Sequence, residues 1–90
     1  MKISEKSFLN RVLKGSVDRF LRNVLIAVGN SKEKKYKKDI EALLEDKSSA
    51  VRAMAVWSLK QVIDSNHIEN YKKKYLALEK NKSVQEEWLN

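Results

Sequence analysis

Between Asp46 and Val62, apolar or small residues stand at Val51, Met54, Ala55, Ser58, Leu59 and Val62. This is the i, i+3, i+4, i+7, i+8, i+11 rhythm that a helix brings onto one face. A hydroxyl from Ser48 or Ser49 can cap the first turn, where amide hydrogens have no helical acceptor. Ala50, Ala53, Ala55 and Ser58 keep side chains short, so a neighbouring helix can come close. The pattern predicts a helix covered on more than one side, in the middle of a stack.

The remaining segments carry the same period. Ser4 to Lys14 presents Phe8, Leu9, Val12 and Leu13 on one side, and Gly15–Ser16 suits a break and a new cap. Val17 to Val28 carries a stripe of Phe20, Leu21, Val24, Leu25 and Val28, with Gly29–Asn30–Ser31 expected to end the helix. Ser31 to Asp39 reads as a loop entering a third helix whose apolar side is Tyr36, Ile40, Leu43 and Leu44. After Ser65–Asn66, a helix is expected from His67 to Lys80 with Ile68, Tyr71, Tyr75 and Leu78 inward. A short last helix, Val84 to Leu89, would be sealed by Trp88. With no proline and two glycines in 90 residues, little interrupts these helices, and the chain reads as one all-α domain, 1–90.

The chain also echoes itself. Arg22 to Asn30 can be laid on Ala53 to Gln61 at an offset of 31, and Leu43 to Val51 on Leu76 to Val84 at an offset of 33. Periods of this length, with two helices per unit, are the mark of an α-solenoid. The expected architecture is about two helical hairpins with capping helices.

The formal charge is +7, and the first 45 residues hold 11 of the 19 basic side chains. Such a balance favours phosphate-rich partners, although lysine-rich surfaces are also common as plain solvated faces. The absence of cysteine excludes a disulfide framework, a thiolate zinc site and an iron–sulfur cluster held by this chain. No apolar run reaches the roughly 18 residues that span a bilayer, and the N-terminus lacks the apolar core of a secretory signal. A cytoplasmic protein without membrane partners is expected.

Lys32, Lys34, Lys35, Lys37 and Lys38 form the densest cationic cluster, and with Arg19 and Arg22 on a shared rim they would neutralise backbone phosphates. Tyr36 can stack on a base or serve the core. Arg22 and Asn23 can face a partner or make a bond between repeats. Lys72–Lys73–Lys74 reads as solvated surface. His67 is the one histidine, with neither metal co-ligands nor an orienting partner visible in the sequence. Trp57 lies off the main stripe and can pack against a neighbouring repeat or anchor a partner. Adjacent carboxylates such as Glu86–Glu87 diverge on a helix and make no acid/base pair. No catalytic constellation is present.

Asp46, Val51–Arg52, Ala55 and Leu59 resemble the consensus of a HEAT-like repeat. In that family an aspartate in the inter-helix turn and an arginine six residues on form a stacking ladder, which implies a ladder role for Asp46 and Arg52. In the preceding unit Ser16 stands six before Arg22, so the aspartate is missing there.

More narrowly, the chain resembles the C-terminal HEAT-like domain of bacterial epoxyqueuosine reductases. The matching segments are FLRNVLIAVGNS (Phe20 to Ser31), DKSSAVRAMAVWSL (Asp46 to Leu59) and LEKNKSVQEEW (Leu78 to Trp88). The resemblance implies a non-catalytic tRNA-binding module, a C-terminal piece of a larger protein of queuosine biosynthesis. The reductase chemistry, with its cobalamin cofactor and 4Fe-4S clusters, would belong to catalytic domains absent here, so no cofactor is expected in this chain. Arg19, Arg22, Asn23, Lys32, Lys34, Lys35, Lys37 and Lys38 would grip the RNA backbone, and the catalytic domain or another protein is a further possible partner. The rival reading is a protein–protein interaction scaffold, in which Trp57 and a concave apolar groove engage a partner helix.

Overall fold

A computed structural model describes residues 18–90, and among the described residues every regular element is helical. The helix expected over Ser4 to Lys14 and the break at Gly15–Ser16 lie outside this range. Helix α1 covers 18–31 of the described residues. A single 3₁₀ turn at Lys34–Tyr36 leads into α2, Lys37–Leu43, and then come α3, Ser49–Val62, α4, Ser65–Leu76, and α5, Lys82–Leu89.

Helix starts follow side-chain caps. The Ser48 hydroxyl accepts from the Val51 amide, the Asp64 carboxylate from His67 and the Asn81 side chain from Val84. The choice between Ser48 and Ser49 thus falls on Ser48. Because Asp64 and Asn81 are the caps, α4 and α5 start earlier than the periodicity predicts, and Ser65–Asn66 belongs to the first turn of α4. Helix α4 also ends earlier, at Leu76, which leaves Leu78 71% exposed in the following turn rather than inward.

Helix α3 is central. Val51, Ala55, Val56, Ser58, Leu59 and Val62 are buried, and it packs against α2 and α5 most extensively. Val56 was not part of the expected stripe, and its burial shows α3 covered on two flanks. Leu25 from α1, Ile40 and Leu44 from the α2 region, Ile68 from α4 and Val84 and Trp88 from α5 complete the core. Each such side chain contributes about 1.5–3 kcal/mol on leaving water. Phe20 and Val24, expected in the α1 stripe, are 64% and 37% exposed. The α1 contact with α3 runs through Leu25, a member of that stripe, and Gly29, one turn on, so the buried side is rotated away from Phe20 and Val24.

Helix α1 does not stop at Gly29. That residue is buried inside the helix, and a Cβ placed on it would lie 2.5 Å from Trp57 Cζ3 and 3.2 Å from Ser58 Cα. Opposite it, the Ser58 hydroxyl donates to the Leu25 carbonyl at 2.9 Å. Glycine is needed here for close helix approach rather than for a turn. The left-handed residue that ends α1 is Lys32, with φ 57°, whose amide returns to the Gly29 carbonyl at 3.2 Å. Ser31 assists by donating to the Val28 carbonyl.

Further bonds join elements distant in sequence. The Tyr71 hydroxyl donates to the Glu41 carboxylate, tying α4 to α2. Burial and this bond push the Tyr71 hydroxyl up to about 12. Tyr71, Tyr75 and Trp88 stack in succession, with centroids 6.3 and 6.1 Å apart, and so link α4 to α5. The Lys60 ammonium donates to the Glu87 carbonyl in the last turn of α5, where helical partners have run out.

Arg52 joins two turns. Its guanidinium donates Nε and Nη2 to the Glu79 carboxylate, both at 3.0 Å, and Nη1 to the Asp46 carbonyl at 2.8 Å. The Asp46 carboxylate instead accepts from the Ser48 amide at 2.9 Å. The expected Asp46–Arg52 pairing is therefore a backbone contact, and the charge partner of Arg52 is Glu79. The six-residue spacing brings the guanidinium to the Asp46 carbonyl, because the aspartate side chain is already engaged in closing its own turn.

Candidate nucleic-acid interface

The sequence-selected basic residues fall into two groups along the described part of α1. Arg19, Arg22 and Asn23 lie within the helix, and Lys32 to Lys38 follow its C-terminal end. Ten residues separate Arg22 from Lys32, about 15 Å of helix rise. The single rim expected from the sequence is thus two patches.

The lysine patch is a turn held open by its own backbone. The left-handed Lys32 redirects the chain, the Ser31 hydroxyl accepts from the Glu33 amide, and the 3₁₀ turn then presents Lys34 and Lys35 outward. Lys32, Lys34, Lys35 and Lys38 are exposed, whereas Lys37 is half-buried with its ammonium 5.8 Å from the Tyr71 ring centre. Lys35 pairs with Glu33 at 3.1 Å, and that hydrogen bond and charge raise its ammonium above the ordinary lysine value. Among the described residues Lys32, Lys34 and Lys38 form no ion pair. Tyr36 is half-buried against the core, the less exposed of its two readings.

The α3–α4 turn lies beside this patch. The His67 amide and ring nitrogen hold the Asp64 carboxyl below the usual carboxylate range, with the Lys34 charge adding a little. His67 Nδ1 stands 2.6 Å from Asp64 Oδ1. The lone imidazole does have an orienting carboxylate, although both groups are exposed, and no metal-ligating cluster surrounds them among the described residues.

The second patch is a groove between α1 and α3. Arg19, Arg22, Asn23, Ile26 and Met54 line one stretch of about 280 Å³. Ile26 and Met54 continue into a second stretch of about 400 Å³ that ends at Trp57 and Glu87. Trp57 packs on α1 beside Gly29, the packing role among its two readings, and also lines this groove. Arg22 is half-buried, and its Nε is fully enclosed without a hydrogen-bond partner. Asn23 is exposed on the rim.

Sequence reading missed Ile26 and Met54 as groove residues. A signal existed: the offset of 31 lays Ile26 on Trp57, two large apolar residues off the main stripe of their helices.

No protein-family model, curated protein or solved structure matches the chain. Among the described residues no helix is long and apolar enough to cross a membrane.

Proposed function

We propose that this chain is a non-catalytic RNA-binding module, built as a short HEAT-like α-solenoid, that grips the tRNA backbone for a catalytic partner as the tail domain of an epoxyqueuosine reductase does. The solenoid reading is supported by α1 lying along α3, α3 along α5, and α2 reaching α4 through Glu41 and Tyr71. Neighbours one repeat apart in sequence are neighbours in space, as stacked hairpins require.

The observation that carries the RNA reading is the α1–α2 turn. It places four exposed lysines within seven residues, with Glu33 the one acidic residue among them. Lysine ammoniums on a fixed turn suit the phosphate backbone, which is contacted without reading base sequence. The rival reading, a scaffold for a partner protein, would use the apolar residues Ile26, Met54 and Trp57 of the α1–α3 groove.

Salt separates the two. Binding of tRNA to the intact chain is expected to weaken with salt, and replacing Lys32, Lys34, Lys35 and Lys38 by glutamate is expected to flatten the slope by up to about 0.9 per lysine. A slope unchanged in the variant, or no binding at low salt, would reject the RNA reading.

A further inference from the structure

We propose that the groove between α1 and α3 holds one unpaired nucleotide, its phosphate on Arg19 and Arg22 and its base against Met54 and Trp57. This rests on the RNA reading and adds a site that backbone gripping by the lysine turn does not need.

Four observations converge on the groove. First, Arg22 Nε is enclosed without an acceptor. Nε itself lies below the surface, so a phosphate entering the groove meets the terminal nitrogens of the Arg22 fork, which form no ion pair among the described residues. Second, Arg19 shares the same stretch of groove. Two planar guanidinium forks suit phosphate oxygens better than point charges do. Third, the floor beyond them is Ile26, Met54 and the half-buried Trp57. A thioether and an indole offer soft, polarisable surface to a flat base. Fourth, Glu87 closes the far end. A carboxylate there repels a second phosphate and fixes the direction in which the nucleotide enters.

The charge pattern also argues against a partner helix. A helix-binding groove carries apolar anchors at successive turns, whereas this floor is short and bounded by cations at one end and an anion at the other. The net charge of +7 attracts a polyanion. Base-paired RNA keeps its bases stacked inside, so the groove selects single-stranded segments.

Tryptophan fluorescence tests this on the intact chain. Trp88 is 2% exposed and serves as the insulated background, while Trp57 borders the groove. Single-stranded oligouridylate is expected to quench part of the emission saturably, and an RNA duplex of equal charge is expected not to. Arg22→Gln is expected to weaken the quenching titration about tenfold with an unchanged circular-dichroism spectrum. Oligouridylate that binds by anisotropy without quenching overturns the groove and leaves the RNA reading standing. Absence of binding to either RNA overturns both. Quenching by an acidic amphipathic peptide but not by oligouridylate overturns the nucleotide assignment and makes the groove a protein dock.

Discussion

Glu79→Ala is expected to lower the unfolding free energy by about 3 kcal/mol, because it leaves the Arg52 guanidinium with the Asp46 and Lys47 carbonyls and no carboxylate. The Glu79 and Arg52 side chains are 8% and 21% exposed, so solvent screens their charges only partly. Glu79 Oε2 also accepts from the Asn81 amide at 3.0 Å, and its loss loosens the turn that launches α5. In a domain this size, 3 kcal/mol corresponds to about 12–24 °C in the thermal midpoint, and total stability is itself only about 5–15 kcal/mol. Circular-dichroism melts of Glu79→Ala beside Glu45→Ala, an exposed carboxylate on the neighbouring turn, check the claim. The Glu45 variant is expected to stay within about 0.5 kcal/mol of the parent.

The same pair sets an acid limb. Burial alone would raise the Glu79 carboxyl, but the Arg52 hydrogen bonds and the Asn81 amide outweigh it, and the net shift is downward. A carboxyl lowered on folding contributes stability that is complete above its unfolded value, about 4.3, and is lost as pH falls through the lower folded value. The parent is therefore expected to lose stability below about pH 4, and Glu79→Ala to show a shallower loss there. Equal acid slopes in the two proteins would reject the pairing.

Gly29→Ala is expected to destabilise by about 2 kcal/mol, although alanine is the better helix former by about 1 kcal/mol. The added methyl meets Trp57 Cζ3 at 2.5 Å and, independently of that ring, Ser58 Cα and Oγ at 3.2 Å, where the backbone is fixed by α3. Relief requires α1 to move off α3, which stretches the Ser58–Leu25 hydrogen bond. Asn30→Ala, at the adjacent exposed position, is expected to be neutral or slightly stabilising. Chemical denaturation of both variants decides the matter, and a stabilised Gly29→Ala would show that α1 and α3 are not in close contact.

The all-helical character was legible because apolar periodicity is long-lived in this sequence and nothing breaks it. Val51, Ala55, Leu59 and Val62 fall where the period puts them, and all are buried. Helix ends were less legible, since a cap acts through one side chain. Asp64 and Asn81 cap helices that the apolar period alone starts later. Gly29 misled for a physical reason: glycine is permitted both where a chain turns left-handed and where two helices touch, and only the partner helix tells these apart.

Tertiary pairings were least legible. Arg52 finds Glu79, 27 residues away, while the nearby Asp46 carboxylate is spent on its own turn. The cationic residues were identified by type, but their separation into a lysine turn and an arginine-ended groove depends on where α1 ends. Lys32, the left-handed residue, decides that.

Amide chemical-shift mapping with single-stranded RNA at low salt tests most directly whether these two patches are the polyanion surface. The largest shifts are expected at 32–38 and along the groove from Arg22 to Asn30 and Met54 to Trp57, shrinking together as salt rises. Shifts centred instead on the α4–α5 side around Leu89 and Asn90, or no shifts at low salt, would contradict the account.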